Sequence, residues 1–469
     1  MRAHPAGPRH GEVMASSAAP LPPSGDPGSI DPAVWPADAH RGEGGALVVG
    51  GADVRGLAAR FGTPLYVLDE ADFRNRAAAF RAAYDPSGSD VYYAAKAFLA
   101  TAVARWAVQE GLGIDVASGG ELAVALAAGV PGERLLLHGN NKSAAEIRRA
   151  LESGVGRIVV DSLIEIERIA QVARELDVRA GVLVRVTVGV EAHTHEFIAT
   201  AHEDQKFGLS LAAGDAREAV EVVVADAHLD FRGLHSHIGS QIFDPAGFEV
   251  AASRLTGLMV ELQAEGVAVD ELNLGGGMGI AYVSDDDPLD VESMAKAIQA
   301  IVVDACARAK VPMPRLAFEP GRAIVGPAGI TVYEVGTVKP VRLDHGHERV
   351  YVSVDGGMSD NIRTALYDAD YTVVLASRVS DSEPVLCRVV GKHCESGDVI
   401  VRDAWLPADL APGDLLAVAA TGAYCRSMAS QYNYLPRPAV VSVRDGAATV
   451  VLRRESERDL LALDPGADS

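Results

Sequence analysis

Cysteine, basic charge and long apolar runs are scarce in this sequence, and each shortage excludes something. Four cysteines, Cys306, Cys387, Cys394 and Cys425, in 469 residues make no disulfide framework, so a reduced, cytoplasmic setting is expected. Lysine and arginine number 42 against 64 aspartates and glutamates, a formal net charge of −22. That balance argues against nucleic acid or an anionic membrane as partner, and basic groups gathered in a pocket would serve a small anionic substrate instead. No apolar run approaches the ~18 residues of a membrane span, and no internal repeat is visible. Residues 1–30 hold six prolines and four glycines without a basic segment followed by an apolar one. They read as a disordered tail rather than a secretion signal, with Met14 as an alternative start.

The rest, 48% apolar and 23% charged, suits about two or three globular domains. Pro64–Leu68 reads as a strand and Glu70–Tyr84 as an amphipathic helix. Then eight short apolar runs alternate with helical patterns: Val91–Ala95, Gly113–Val116, Leu135–His138, Arg157–Val160, Val182–Val186, Phe231–His235, Glu271–Leu274 and Arg315–Phe318. This rhythm fits a (β/α)8 barrel of the TIM type, or a doubly wound sheet. The run ends favour the barrel. They carry Lys96, Asp115 and Ser118, His138 and Asn140, Asp161, Arg185, His235 and His237, Gly275–Gly277, and Glu319–Arg322, and in a barrel all eight ends face one mouth.

Beyond Gly329 the helical patterns fade and β-rich runs follow, at Ile330–Val335, Arg349–Val354, Tyr371–Leu375, Pro384–Val390, Leu415–Ala419 and Ala447–Leu452. We therefore expect a barrel over residues 71–328 and a β-sandwich or barrel-like domain over 329–469. The segment 31–70 is expected to join the β domain, because the barrel count is complete without it.

Four motifs carry chemistry. Val91-Tyr92-Tyr93-Ala94-Ala95-Lys96 is an apolar strand pattern ending in a lysine, whose amine either reaches water along its stem or anchors a carbonyl cofactor such as pyridoxal phosphate. Gly275-Gly276-Gly277-Met278-Gly279 lets backbone N–H groups approach an anion closely, or is simply a tight turn; a Rossmann fingerprint would need glycine at Ile280. His235 and His237, two apart on a strand, share a face. They would make half a zinc site with nothing to complete it, so no metal is expected. In Glu319-Pro320-Gly321-Arg322 the carboxylate faces either a protonated ring nitrogen or Arg322.

Taken together, Lys96, His237-Ile238-Gly239-Ser240, Gly275–Gly279, Glu319–Arg322, Asp355-Gly356-Gly357-Met358, Cys394-Glu395-Ser396-Gly397-Asp398 and Gly422-Ala423-Tyr424 resemble the fold-type III pyridoxal phosphate decarboxylases, in particular the branch acting on meso-diaminopimelate. The resemblance runs from about Val34 to Leu452; Ile362 and Thr364 stand where prolines are common in the family. It implies pyridoxal 5′-phosphate bonded to Lys96, with His237 against its ring and Glu319 at its ring nitrogen. Ser240, Gly275, Gly276, Gly277 and Tyr424 would hold the phosphate, with Pro320, Gly321 and Arg322 completing the cofactor site. Arg322, Arg363, Tyr367, Glu395 and Tyr424 would bind substrate. Cys394 would be the general acid, since a thiol carries its proton at neutral pH. The resemblance also implies a homodimer whose Cys394–Glu395 segment completes the partner's site.

Charge complementarity favours diaminopimelate. Ornithine and arginine end in a cation that an arginine would repel, whereas diaminopimelate ends in a carboxylate and an ammonium that Arg363 and Glu395 would match. A helix starting near Asn361 would present Arg363 and Tyr367 on one face. The rival readings are an ornithine or arginine decarboxylase of the same fold and a non-catalytic, partner-binding homologue.

Overall fold

The computed structural model describes residues 26–190, 205–342 and 348–468. The tail expected over residues 1–30 lies outside the described residues as far as residue 25. Two compact units are present: Arg74–Ile280 with Asp287–Ile324, and Met1–Phe73 with Ala281–Asp286 and Val325–Ser469.

The first unit is an eight-stranded parallel barrel. Its strands, labelled in chain order, are β1 (Asp90–Ala94), β2 (Gly113–Val116), β3 (Leu135–Leu137), β4 (Arg157–Val160), β5 (Ala180–Thr187), β6 (Leu229–His235), β7 (Glu271–Asn273) and β8 (Arg315–Phe318). Each pairs in parallel with the next, and closure comes from Ala317 and Phe318 of β8 against Asp90 and Val91 of β1. All eight runs expected from hydropathy are barrel strands. Buried on both faces, they read as continuous apolar stretches. Tyr92, Leu136, Val159, Leu183 and Ala317 pack together as an inner layer.

Helix starts are set locally. Ser118 accepts a hydrogen bond from the Glu121 amide and caps the helix Gly119–Ala127, so it serves the backbone rather than the barrel mouth. Ser143 and Glu146 form a capping box on Ala144–Glu152, and Glu146 also takes the Gly119 amide at 2.8 Å.

The second unit is β-rich. Its sheet runs Val399–Pro407, Pro384–Val390, Glu348–Val354, Gly329–Arg342, Leu65–Asp69, Ala439–Arg444, Ala447–Leu452, and Leu415–Val418 joins Gly329–Arg342 to Val373–Leu375. Leu65–Asp69 pairs with both Gly329–Arg342 and Ala439–Arg444, so the strand preceding the barrel belongs to this sheet. Trp35, Leu47, Val67, Val332 and Val441 share its core. Val399–Pro407 and Ala439–Arg444 escaped the hydropathy reading: the first carries Arg402-Asp403 in mid-strand and the second opens just after Pro438. The segment Ala281–Asp286, expected inside the barrel, also falls in this unit. Ala281 is buried in its core, and the Tyr282 carbonyl accepts from the Thr372 amide at 3.1 Å and hydroxyl at 2.9 Å.

Gly233 interrupts β6 at a bulge, with φ +150° and a position where a Cβ would lie 1.8 Å from the Glu271 carbonyl oxygen. Gly257, on the helix Ala246–Ala264, has open space around it. Gly233→Ala should therefore cost about 3 kcal/mol or more, whereas Gly257→Ala should stabilise by roughly 0.5–1 kcal/mol. Urea unfolding of both variants tests the backbone assignment; equal effects would contradict it.

Candidate active site

Lys96 stands just past β1. The strand stops at Ala94, and the following turn is tied by Ala95 N–H to the Asp115 carbonyl at 2.9 Å, Ala94 N–H to the Pro320 carbonyl at 3.1 Å and Tyr93 O–H to the Phe98 carbonyl at 2.6 Å. Ala95 and Ala97 are buried, while Lys96 between them is exposed. The lysine thus stands at the end of the run, past the strand, as the sequence pattern suggested. It opens into a cavity of about 280 Å³ shared with Asp115, His138, Arg185, Phe207 and His237.

Behind that cavity lies Glu319, 5% exposed. Its Oε1 accepts from His138 Nε2 at 2.8 Å and from Asn273 Nδ2 at 2.8 Å, and His235 Nε2 lies 3.4 Å away without the direction of a hydrogen bond. Burial alone would raise this carboxyl; the facing imidazoles, His138 foremost, outweigh burial and hold it well below the usual carboxylate range. Glu319 is not paired with Arg322, whose Nη2 donates to Ser240 Oγ at 3.0 Å. Burial lowers His235 to about 4, and burial with the nearby Lys96 and Arg185 charges lowers His237 well below the ordinary range, so both rings are neutral at neutral pH. His138, His235 and Glu319 place one donor atom each within 4.8 Å, but hydrogen bonding already engages His138 Nε2 and Glu319 Oε1.

The glycine loop after β7 is fitted to its surroundings. Gly275 and Gly277 have φ +68° and +100°, and Cβ atoms at Gly275, Gly276 and Gly277 would lie 2.8, 2.2 and 2.3 Å from His237 Nδ1, the Glu319 carbonyl and the Gly239 carbonyl. No other residue type fits there. A flat, anionic aldehyde cofactor suits this set: an amine in an open cavity, a neutral imidazole, a buried carboxylate, and a glycine loop beside Ser240 and Arg322. Gly321 fits as tightly, since its Cβ would meet the Ala94 carbonyl at 2.9 Å.

The remaining candidates sit in the β-rich unit. Cys394 is exposed, and its amide donates to Asn433 Oδ1 at 3.0 Å. Asp398 braces the same loop by accepting from the Met358 amide at 2.6 Å and the His393 amide at 2.8 Å. Glu395 is exposed, with Oε1 taking the Gly397 amide at 3.2 Å. Tyr424 is half-buried with φ +59°. Arg363 and Tyr367 do begin and end a helix, but it has only five residues; Arg363 is 5% exposed and Tyr367 60%. They stand one turn apart, as expected, with the Arg363 end of the helix buried and the Tyr367 end exposed.

The model for the pyridoxal-dependent decarboxylase, pyridoxal binding domain, matches residues 70–326. A diaminopimelate decarboxylase of Mycobacterium leprae is 55% identical over 99% of this chain and all of its own length, and one of Mycobacterium tuberculosis is 57% identical over 93% and 98%. The crystal structure of diaminopimelate decarboxylase from M. jannaschii in complex with L-lysine superposes with a TM-score of 0.85, at 33% identity over 92% of this chain and 98% of that one.

This chain belongs to the diaminopimelate decarboxylase family.

Within this family member, the match to the pyridoxal binding domain spans Lys96, His237, Ser240, Gly275–Gly277 and Glu319–Arg322. Arg363, Tyr367, Cys394, Glu395 and Tyr424 lie beyond it and rest on the full-length relatives. Sequence reading noted His138 and His235 as strand ends but gave them no role, and it passed over Asn273. The available signal was a polar residue at the end of a short buried strand, one residue before the glycines.

Asp115 supplies a test. It is 3% exposed, and its Oδ1 has no hydrogen-bond partner, with His138 Nε2 3.7 Å away. Burial, with Glu319 close by and only partly offset by His138 and Lys96, pushes its carboxyl up to about 6. A raised folded-state value means that stability from this group is full below the unfolded value near 4 and is lost as pH rises through about 6. Asp115→Asn should therefore raise the melting temperature by about 3 °C or more at pH 8, with the difference vanishing near pH 4. Equal shifts at both pH values would refute the assignment.

Proposed function

We propose that this protein decarboxylates meso-2,6-diaminopimelate to L-lysine and carbon dioxide, the last step of lysine biosynthesis, with pyridoxal 5′-phosphate held in the barrel. The observation that carries the reading is the buried, hydrogen-bonded Glu319 carboxylate at the mouth that also presents Lys96. Pyridoxal phosphate, when bound, supplies a ring that accepts the electron pair left on the substrate α-carbon as carbon dioxide leaves.

The protein's own groups do the rest. Lys96 would bond the cofactor's aldehyde and give it up to the substrate amine. Glu319, kept ionised by His138 and Asn273, would hold a proton on the ring nitrogen. His237 is neutral and can lie against the ring without opposing its charge. Ser240, Arg322, Tyr424 and the amides of Gly275, Gly276 and Gly277 would take the phosphate, with Pro320 and Gly321 shaping the turn beside them. Arg322, Arg363, Tyr367, Glu395 and Tyr424 would bind substrate: Arg363 the distal carboxylate, Glu395 the distal ammonium. Cys394 would deliver the proton to the α-carbon. The exposure of Cys394, Glu395 and Tyr367 in a single chain supports a homodimer in which that face completes the partner's barrel site.

Activity on meso-diaminopimelate against lysine and ornithine tests the substrate. A preference of about a hundredfold or more is expected, with Arg363→Leu losing roughly two to three orders of magnitude in kcat/KM while retaining cofactor; comparable turnover of ornithine would refute it. Lys96→Ala should lose both turnover and the visible absorbance of a lysine-bound pyridoxal, and a borohydride-reducible adduct in that variant would contradict the role of Lys96. The shared site has its own test: mixing inactive Lys96→Ala and Cys394→Ala subunits should restore part of the activity, since heterodimers carry one site free of both substitutions. No recovery after demonstrated exchange would contradict it.

A further inference from the structure

Arg363 is held in an unusual way for a buried cation. It is 5% exposed, yet among the described residues it forms no ion pair, and its one side-chain hydrogen bond runs from Nη1 to the Tyr371 hydroxyl at 2.5 Å. Its guanidinium carbon lies 4.5 Å from the centre of the Tyr282 ring and 5.5 Å from that of Tyr371. The two rings meet edge to face, 5.3 Å apart at 84°. Both tyrosines are themselves buried, at 5% and 3%. Cys425 Sγ stands 3.6 Å behind the Tyr371 hydroxyl. Because that oxygen already accepts from Arg363, its own hydrogen is available to the sulfur.

A buried charge is costly unless something answers it. Two aromatic faces answer part of the Arg363 charge, but a guanidinium has five N–H donors and the tyrosines engage only one. An acidic partner within the chain would have neutralised the arginine and closed it to ligand; the tyrosines fix its position and leave donors unspent. Tyr282 lies three residues beyond Gly279 in the sequence.

We propose that Tyr282 and Tyr371 are the positioning residues for Arg363, holding its guanidinium ready for the distal carboxylate of the substrate and so setting specificity for a substrate with an acid at both ends. The inference rests on the reading of Arg363 as the carboxylate's partner. Tyr371 orients it through one hydrogen bond, and Tyr282 orients it through its ring face.

The experiment compares Tyr371→Phe, Tyr282→Leu, Arg363→Leu and the double variant Tyr371→Phe/Arg363→Leu, each as holoenzyme with bound cofactor quantified by absorbance. Tyr371→Phe and Tyr282→Leu should each raise KM for meso-diaminopimelate about tenfold and change kcat by less than about twofold. Adding Tyr371→Phe to Arg363→Leu should cost nothing further, since both act through one group. A general loss of structure would lower kcat and cofactor content together, without that non-additivity. Unchanged KM in Tyr371→Phe alongside a large loss in Arg363→Leu overturns the cradle and leaves the reading of Arg363 intact, and so does an additive double variant. Unchanged kinetics in Arg363→Leu overturns both. Tyr371→Phe removes a single buried oxygen, so it decides the matter even if Tyr282→Leu does not fold.

Discussion

One oxygen atom, Oε1 of Glu319, ties the barrel mouth together. A carboxylate this deeply buried costs several kcal/mol unless its lone pairs are met, and the partners come from different strands: His138 from the end of β3, Asn273 from the end of β7, with His235 of β6 alongside. The same backbone also sets the glycine loop, because the Glu319 amide donates to the Gly275 carbonyl at 2.8 Å and Asn273 Oδ1 takes the Gly275 amide at 2.8 Å. Shifting the carboxylate would therefore shift the loop. The buried carboxylate and the glycine loop are braced by one hydrogen-bond network.

Around this anchor the charges are divided rather than pooled. Glu319 is held low by its imidazole neighbours, and Asp115, 3.7 Å from the same His138 nitrogen but without a hydrogen bond to it, is driven up by burial. Two carboxyls within reach of one histidine thus hold protons of very different strength, a pattern characteristic of sites that move protons. Arg185, 3.8 Å from Asp161 and 4.5 Å from the Phe207 ring centre, adds fixed positive charge at the same mouth. The positive groups facing the cavity, Lys96 and Arg185, lie within a chain of net charge −22, which directs an anionic ligand to that opening.

The barrel was legible because its strands are buried on both faces, which turns each into an uninterrupted apolar run, and because the barrel brings all run ends to one mouth. The anchors at those ends were legible for the same reason. What could not be read are the properties that depend on residues distant in sequence. The apolar run leaves undecided whether the Lys96 amine opens to a cavity; hydrogen bonds to the Asp115 and Pro320 carbonyls fix the turn that exposes it. Arg363 and Tyr367 do stand one turn apart on a helix, but spacing carries no information on what covers either end, and only Arg363 is buried. The surroundings of Arg363, Tyr282 and Tyr371, come from segments 81 and 8 residues away, and no local pattern marks them as its partners. Asn273 is inconspicuous alone and acquires its role only opposite Glu319, 46 residues on.

The central claim is that Glu319 stays ionised inside the barrel because His138 and Asn273 hold it so. Carbon-13 NMR of protein labelled at the glutamate carboxyls, with the resonance assigned by its loss in Glu319→Gln, measures this directly. The account predicts that the Glu319 signal keeps its ionised position down to about pH 4, below the ordinary glutamate midpoint near 4.3; a protonation midpoint above about pH 5 would contradict it.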